Sequence, residues 1–140
     1  MSRRRTAGAL PRGAAPFEAR PWGGYQTLEE GPGYKVKRLV VEPGHRFSLQ
    51  RHRRRAEHWV IVAGSPKVTI GRRSRRLRPR EAVTVPRGAW HRAENVGRVP
   101  VVIVEVQYGA YLGEDDIVRK QDDYGRVGRQ PAARYSPPPP

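Results

Sequence analysis

The sequence contains no cysteine, which excludes disulfide bonds, thiolate metal ligands and cysteine nucleophiles. It also lacks a long apolar run. The longest, at residues 99–106, is interrupted by Pro100 and Glu105 and is too short to span a bilayer. The basic segment at residues 2–10 has no apolar stretch of the kind found in signal peptides. These absences favour a cytoplasmic protein with no membrane partner.

Acidic residues are scarce: 13 Asp and Glu stand against 28 Lys and Arg, giving a formal net charge of +15. Such a surplus is typical of proteins that bind nucleic acid. Here the arginines are spread over predicted loops and tails, and neither a nucleic-acid-binding motif nor a set of stacking aromatics accompanies them. We therefore rank nucleic acid low among the partners and expect a smaller anion, because arginine grips phosphate with paired hydrogen bonds.

The sequence shows no convincing amphipathic helix but many short apolar segments separated by Gly and Pro turns. This pattern predicts an all-β fold, an antiparallel sandwich or barrel. At 140 residues the chain suits one domain, which we place at residues 16–126 between disordered tails at residues 1–15 and 127–140. Strands are predicted at residues 34–41, 47–52, 57–63, 67–70, 75–77, 82–85, 91–95 and 101–107.

Four potential metal ligands occur in two short segments. Gln50 and His52 alternate on a predicted strand, so their side chains share one face, and Glu57 at the start of the next strand can fold back onto that face. His91 follows in the second segment. A single His near a strand is more often packed or solvated, but two imidazoles with a carboxylate and an amide oxygen suit Zn, Mn, Fe or Co. The set predicts one divalent metal ion.

Two motifs and several longer blocks carry a family resemblance. Residues 44–64 resemble the first cupin motif, with Gln50 where cupins usually have a His, and residues 86–95 match the second, P-x-G-x-x-H-x-x-x-N. Beyond these, residues 20–126 resemble the type II phosphomannose isomerase domain, the carboxy-terminal part of bifunctional mannose-1-phosphate guanylyltransferase and mannose-6-phosphate isomerase enzymes. The blocks are R-P-W-G-G-Y at 20–25, Y-K-V-K-R-L at 34–39, S-L-Q-R-H-R-R-R-A-E-H-W at 48–59, P-R-G-A-W-H-R-A-E-N at 86–95, E-V-Q-Y-G-A-Y-L-G-E-D-D-I-V-R at 105–119 and D-D-Y-G-R at 122–126.

The resemblance implies a cupin-type jelly-roll β-barrel that interconverts mannose 6-phosphate and fructose 6-phosphate with one divalent metal. Related type I isomerases bind zinc through a comparable Gln, His, Glu and His set, which makes zinc the first expectation. The chain departs from the family in two ways. Arg53 and Arg54 stand where histidines are common, and the glycine-rich nucleotidyltransferase signature is missing, so the chain is not expected to make GDP-mannose by itself.

Aldose–ketose isomerisation needs a base that moves a proton between C2 and C1, and a phosphate anchor. Glu105 is the leading candidate base because it lies within an apolar strand, where burial raises a carboxyl pKa. The competing interpretation is that Glu105 pairs with an inward cation. His58 and Glu57 are the other candidates, although His58 should face away from the metal. The cations expected at the substrate are Arg20, Lys37, Arg55 and Arg119, with Arg119 also assigned to the catalytic set.

The alternative function is a non-catalytic cupin that binds a sugar phosphate or nucleotide sugar, or that partners a separate guanylyltransferase. Retained ligand binding without turnover would distinguish it from the isomerase. A homodimer is expected in either case, because a β-sandwich leaves edge strands that need protection.

Overall fold

The computed structural model describes residues 12–125. Within that range the secondary structure consists of eleven strands, with no helix, and therefore no helix of the length and apolarity needed to cross a membrane. The strands are β1 (Phe17–Arg20), β2 (Gly23–Gly31), β3 (Tyr34–Val41), β4 (Leu49–Arg51), β5 (Ala56–Ala63), β6 (Lys67–Ile70), β7 (Arg73–Arg76), β8 (Ala82–Val85), β9 (His91–Glu94), β10 (Val101–Tyr108) and β11 (Val118–Gln121).

The strands form two sheets in which every pairing is antiparallel. The six-stranded sheet has the order β1-β2-β3-β10-β5-β8, and the five-stranded sheet has the order β11-β4-β9-β6-β7. Non-consecutive neighbours such as β3 and β10 mean that the chain crosses repeatedly from one sheet to the other, as in a jelly roll. The prediction of an all-β fold is confirmed.

Apolar side chains from both sheets fill one end of the interior. On β5, Trp59 and Ile61 are fully buried, and they alternate with more exposed neighbours as expected for a strand with one inward face. Phe47, in the segment before β4, packs its ring edge-on to Trp59 at 5.9 Å between centroids. The apolar packing of the two sheets gives this end of the barrel a closed core.

The inner face of the six-stranded sheet becomes polar toward its other end. On β10 the buried residue Ile103 is followed by the buried residues Glu105 and Gln107. The register repeats this change on β3, because Leu39 lies opposite Ile103 while Lys37 lies opposite Glu105. The buried polar residues of this sheet are Lys35, Lys37, Glu57, Glu105 and Gln107. Charged side chains are rarely buried unless they are paired or belong to a functional site. A functional site is therefore expected at the polar end of the barrel.

Most predicted strands agree with the structure, and the exceptions are short or polar. The hairpin turn after β6 is shorter than expected, so β7 begins at Arg73 rather than Arg75. Strands β1, β2 and β11 were not predicted, and residues 114–117 form the loop that leads into β11. The predicted carboxy-terminal tail and residues 1–11 of the amino-terminal one lie outside the described residues. Ala15, the last residue of the predicted amino-terminal tail, lies within the described residues and donates its backbone N–H to the carbonyl of Thr27 on β2.

Candidate metal centre

Three of the four predicted ligands converge at the polar end of the barrel. His52 follows β4, Glu57 lies near the start of β5 and His91 opens β9, so both sheets contribute. One ligand atom from each lies within 4.8 Å of the others, and all three side chains are buried. Nε2 of His52 is 3.3 Å from one Glu57 oxygen, and Nε2 of His91 is 3.6 Å from the other. These separations fit donors arranged around one ion.

The second nitrogen of each imidazole is held by a backbone carbonyl. Nδ1 of His52 donates to the carbonyl of Asp116 at 2.6 Å, and Nδ1 of His91 donates to the carbonyl of Ala89 at 2.9 Å. These hydrogen bonds assign the lone pair to Nε2 in both rings, which is the arrangement that metal-binding histidines use. Nε2 of His91 is buried and has no hydrogen-bond partner in the described part of the chain. Such an orphaned acceptor beside a carboxylate fits a metal ligand.

Burial keeps both imidazoles neutral. It lowers the pKa of His52 to about 3, with the cation of Arg55 adding to the effect, and it lowers the pKa of His91 to about 4. Only the neutral ring has a lone pair to give to a metal. The residues present therefore fit a divalent metal ion in donor type, protonation and spacing.

Gln50, the fourth predicted ligand, lies beside the cluster. It is opposite His91 in the pairing of β4 with β9, and its side chain lines the adjacent cavity. Its Oε1 accepts a hydrogen bond from Ser48 Oγ at 2.8 Å, which fixes the amide orientation. An oxygen donor at this position would complete a mixed nitrogen and oxygen set, and its assignment as a ligand stays a prediction.

Arg55 makes its closest contacts with the ligand cluster itself. Its Nε donates to a Glu57 oxygen at 2.8 Å, and its Nη2 lies 3.1 Å from Nε2 of His52. The side chain is buried with these partners and also lines the cavity. The sequence predicted substrate binding for Arg55, whereas the structure shows its guanidinium hydrogen-bonded to two candidate metal ligands. Sequence reasoning gave no signal for this contact.

A cavity of ≈ 540 Å³ opens beside the cluster. This volume suits a small-molecule ligand. Lys37 projects into it and bonds Glu114 at 2.7 Å, with its ammonium 4.0 Å from the ring centroid of Tyr25. The predicted substrate and catalytic residues that line the cavity are Arg20, Lys37, Arg55, Glu105 and Arg119. All five side chains therefore reach a common space.

Glu105 is buried at the floor of the cavity. Burial, reinforced by the neighbouring carboxylate of Glu57, raises its pKa to about 7. Its oxygens accept hydrogen bonds from Gln107 Nε2 at 2.8 Å and Trp59 Nε1 at 3.2 Å. Lys37, its register partner, bonds Glu114 instead, and within residues 12–125 no ion pair to Glu105 is found. The structure thus favours a carboxyl of raised pKa over a simple ion pair.

The loop before β11, which contains Glu114 and Asp116, holds site residues in place through contacts that the sequence did not indicate. The Asp116 carboxylate accepts the backbone N–H groups of Arg53 and Arg54, both at 2.9 Å, while the Asp116 carbonyl orients His52. Glu114 on the same loop neutralises Lys37. A pair of adjacent aspartates is too common a pattern to predict such a contact across more than sixty residues.

The two antiparallel sheets and the inward His, Glu and His cluster define the chain as a cupin. Solved structures agree on the fold. The chain aligns with the capsular polysaccharide assembling protein CapF from Staphylococcus aureus at a TM-score of 0.68 and 16% identity, covering 75% of this chain and 34% of that one. An RmlC-like cupin from Shewanella frigidimarina aligns at 0.58 and 15%, covering 66% and 78%. At such identities the likeness shows the fold alone.

Sequence comparison identifies the family. The family model described as mannose-6-phosphate isomerase C-terminal matches residues 16–122, and the chain belongs to this family. Relatives include mannose-1-phosphate guanylyltransferase ManC of Salmonella typhimurium, 49% identical, and the alginate biosynthesis protein AlgA of Pseudomonas aeruginosa, 45% identical, each over 77% of this chain. The chain spans 22% of the length of each of these relatives. The resemblance drawn from the sequence blocks is confirmed.

Proposed function

We propose that the chain is a metal-dependent aldose–ketose isomerase that interconverts mannose 6-phosphate and fructose 6-phosphate. The observation that carries the proposal is the junction of the buried His52, Glu57 and His91 cluster with a cavity that contains Glu105 and is ringed by cations. A metal site, a carboxyl of raised pKa and a phosphate-binding environment are the three parts that this reaction requires.

His52, Glu57 and His91, with Gln50 as the fourth donor, would hold one divalent ion. A sulfur-free set of nitrogen and oxygen donors is compatible with Zn, Mn, Co and Fe. Zinc is the first candidate by family resemblance alone. When bound, the ion supplies positive charge that polarises the substrate oxygens. Asp116 and Ala89 contribute by holding the two imidazoles in the tautomer that ligation needs.

Glu105 moves the proton. It takes the proton from C2 of the open-chain aldose, and the enediol forms as O1 gains a proton. It then delivers its proton to C1 while O2 loses the hydroxyl proton, which gives the ketose. A base works best when its pKa lies near the working pH, and the raised pKa of Glu105, about 7, meets that condition. Gln107 and Trp59 hold the carboxyl by hydrogen bonds, so little reorientation is needed.

Cations around the cavity bind the phosphate group and screen the charge that develops on the substrate. Arg20 and Lys37 lie on the six-stranded sheet, and Arg119 lies opposite Gln50 where β11 pairs with β4. Arg119 is therefore assigned to the charge that forms near the ligands, while Arg20 and Lys37 are assigned to the phosphate. Arg55 contacts the ligand cluster and joins the substrate site from there.

The test is a coupled isomerase assay with mannose 6-phosphate as the substrate. The protein is first stripped of metal, and Zn, Mn, Co or Fe is then added back one at a time. We expect one metal to restore turnover and His52→Ala to abolish it while the circular dichroism spectrum is unchanged. His58→Ala is the matched control, because His58 faces Thr84 on the outer side of the same segment. Full activity of the His52 variant would refute the metal assignment.

A non-catalytic role is the second candidate. It is favoured by the small fraction of the relatives' length that this chain spans. The relatives named as guanylyltransferases are more than four times as long as the matched segment. If sugar phosphate binds to the metal-loaded chain but no metal supports turnover, the chain is a binding module or a partner of a separate guanylyltransferase. Calorimetry with mannose 6-phosphate separates this outcome from a failure to bind.

A further inference from the structure

The loop between β10 and β11 places one carboxylate against two buried ammonium groups. Lys35 and Lys37 are separated by one residue on β3, so their side chains share the inner face of the six-stranded sheet, and both are buried. Their Nζ atoms lie 3.3 and 2.7 Å from the same oxygen, Oε2 of Glu114. Two ammonium groups and one carboxylate leave one positive charge that this contact does not balance.

The position of the Glu114 carboxylate favours negative charge. Burial opposes the ionisation of Glu114, yet the pKa of this carboxyl is lowered, because the cations of Lys37, Lys35 and Arg55 outweigh the effect of burial. Lys37 and Glu114 both line the cavity beside the metal centre. An anionic ligand that enters the cavity therefore meets the same ammonium group that holds Glu114.

Only the side chain of Glu114 has to move to clear this position. The loop is held on both sides of it: Lys35 Nζ donates to the carbonyl of Leu112 at 2.8 Å, and the Asp116 carboxylate accepts two backbone N–H groups from the segment between β4 and β5. The Glu114 side chain is 52% exposed, so rotation about its own bonds carries the carboxylate into solvent. A ligand can therefore replace the carboxylate while the loop stays in place.

We propose that the Glu114 carboxylate occupies the place of the substrate phosphate, which displaces it from Lys37 on binding. A phosphate monoester carries close to two negative charges at neutral pH, so at this position it balances both ammonium groups. A neutral sugar cannot make the exchange, and a singly charged anion gains no charge by it. Glu114 is thus a specificity-determining residue that reserves the position for dianions. The inference rests on the sugar phosphate of the proposed function, but on neither metal binding nor turnover.

The test is calorimetric titration of mannose 6-phosphate into the chelator-treated full chain at about pH 6, where the phosphate is already in part a dianion. Glu105, with its pKa of about 7, is then largely protonated and offers Lys37 no second carboxylate. We expect Glu114→Gln to bind roughly tenfold more tightly than wild type, because the competing charged hydrogen bond to Lys37 is lost. Asp115→Asn is the matched control, since it removes one negative charge from the neighbouring position on the cavity wall. Its affinity should rise by less than about threefold.

A double-variant cycle places the exchange at Lys37. Lys37→Met should weaken binding by roughly tenfold, and adding Glu114→Gln to it should bring no gain. Equal gains from Glu114→Gln and Asp115→Asn, or no binding to Glu114→Gln, would overturn the inference, and this comparison decides it even where Lys37→Met does not fold. A gain from Glu114→Gln that persists with Lys37→Met would also overturn it, because long-range charge would then suffice. Since the readout is binding without metal, an inactive enzyme in the isomerase assay refutes the proposed function and leaves this inference standing.

Discussion

Replacing Glu105 by Gln should make the metal-free protein more stable at neutral and alkaline pH. The folded state raises the pKa of this buried carboxyl from 4.5 to about 7, so ionising it costs the fold about 3 kcal/mol. Since the folded pKa is raised, the wild-type stability from this group is complete below pH 4.5 and is lost as the pH rises through 7. Glutamine does not ionise, and its amide oxygen can still accept the hydrogen bond from Gln107.

The assay is urea unfolding of chelator-treated protein at about pH 5 and about pH 8, wild type against Glu105→Gln. We expect similar stability at the lower pH and an advantage of about 3 kcal/mol for the variant at the higher pH. Glu42→Gln, which removes an exposed carboxyl, controls for the loss of one charge. The same difference between wild type and Glu105→Gln at both pH values would refute the raised pKa. The same variant should lose isomerase activity, because an amide cannot take the proton.

Two other substitutions test the structure around the site. Asn95→Ala should lower the free energy of unfolding by about 1–3 kcal/mol in urea titrations. The buried Asn95 amide donates to the carbonyls of Val41 and Val99, both at 2.8 Å, and its loss leaves the buried Val41 carbonyl without this donor. Arg55→Met should bind Co²⁺ about tenfold more tightly in competition with a chromophoric chelator, because the guanidinium is 2.8 Å from a Glu57 oxygen and repels a second cation there. Weaker binding would instead mean that Arg55 chiefly holds Glu57 in position.

Strands β3, β5 and β10 could be predicted from the sequence because each contains a run of β-branched residues, which favour strands. Strands β1, β2 and β11 could not. In β2 the segment G-G-Y-Q-T-L-E-E-G is half-exposed for most of its length, and in β11 V-R-K-Q has no apolar face. Both strands exist because they pair with neighbours, β2 with β3 and β11 with β4, so their strand character comes from tertiary pairing rather than from local pattern.

The candidate metal ligands could be predicted for a related reason, since the spacing of Gln50 and His52 fixes their shared face and the two cupin motifs fix the position of His91. The partners of the charged groups could not. From the sequence, pairing of Glu105 with an inward arginine or lysine is as reasonable as a free base, and the register of the structure places Lys37 opposite it.

The loop before β11 decides between these two outcomes. Glu114 reaches back to Lys37 at 2.7 Å, which draws the ammonium away from Glu105 and leaves that carboxyl to burial and to the repulsion of Glu57. The pKa of Glu105, which is raised mainly by burial, is thus coupled to a contact between residues 77 positions apart in the chain. Glu114→Gln should therefore free Lys37 to approach Glu105 and lower the pKa of Glu105. The measurement compares Glu114→Gln with the double variant Glu105→Gln/Glu114→Gln at about pH 8. The stability difference between these two proteins should be smaller than that between wild type and Glu105→Gln. An unchanged difference would mean that burial and the Glu57 carboxylate set the pKa without a contribution from Lys37.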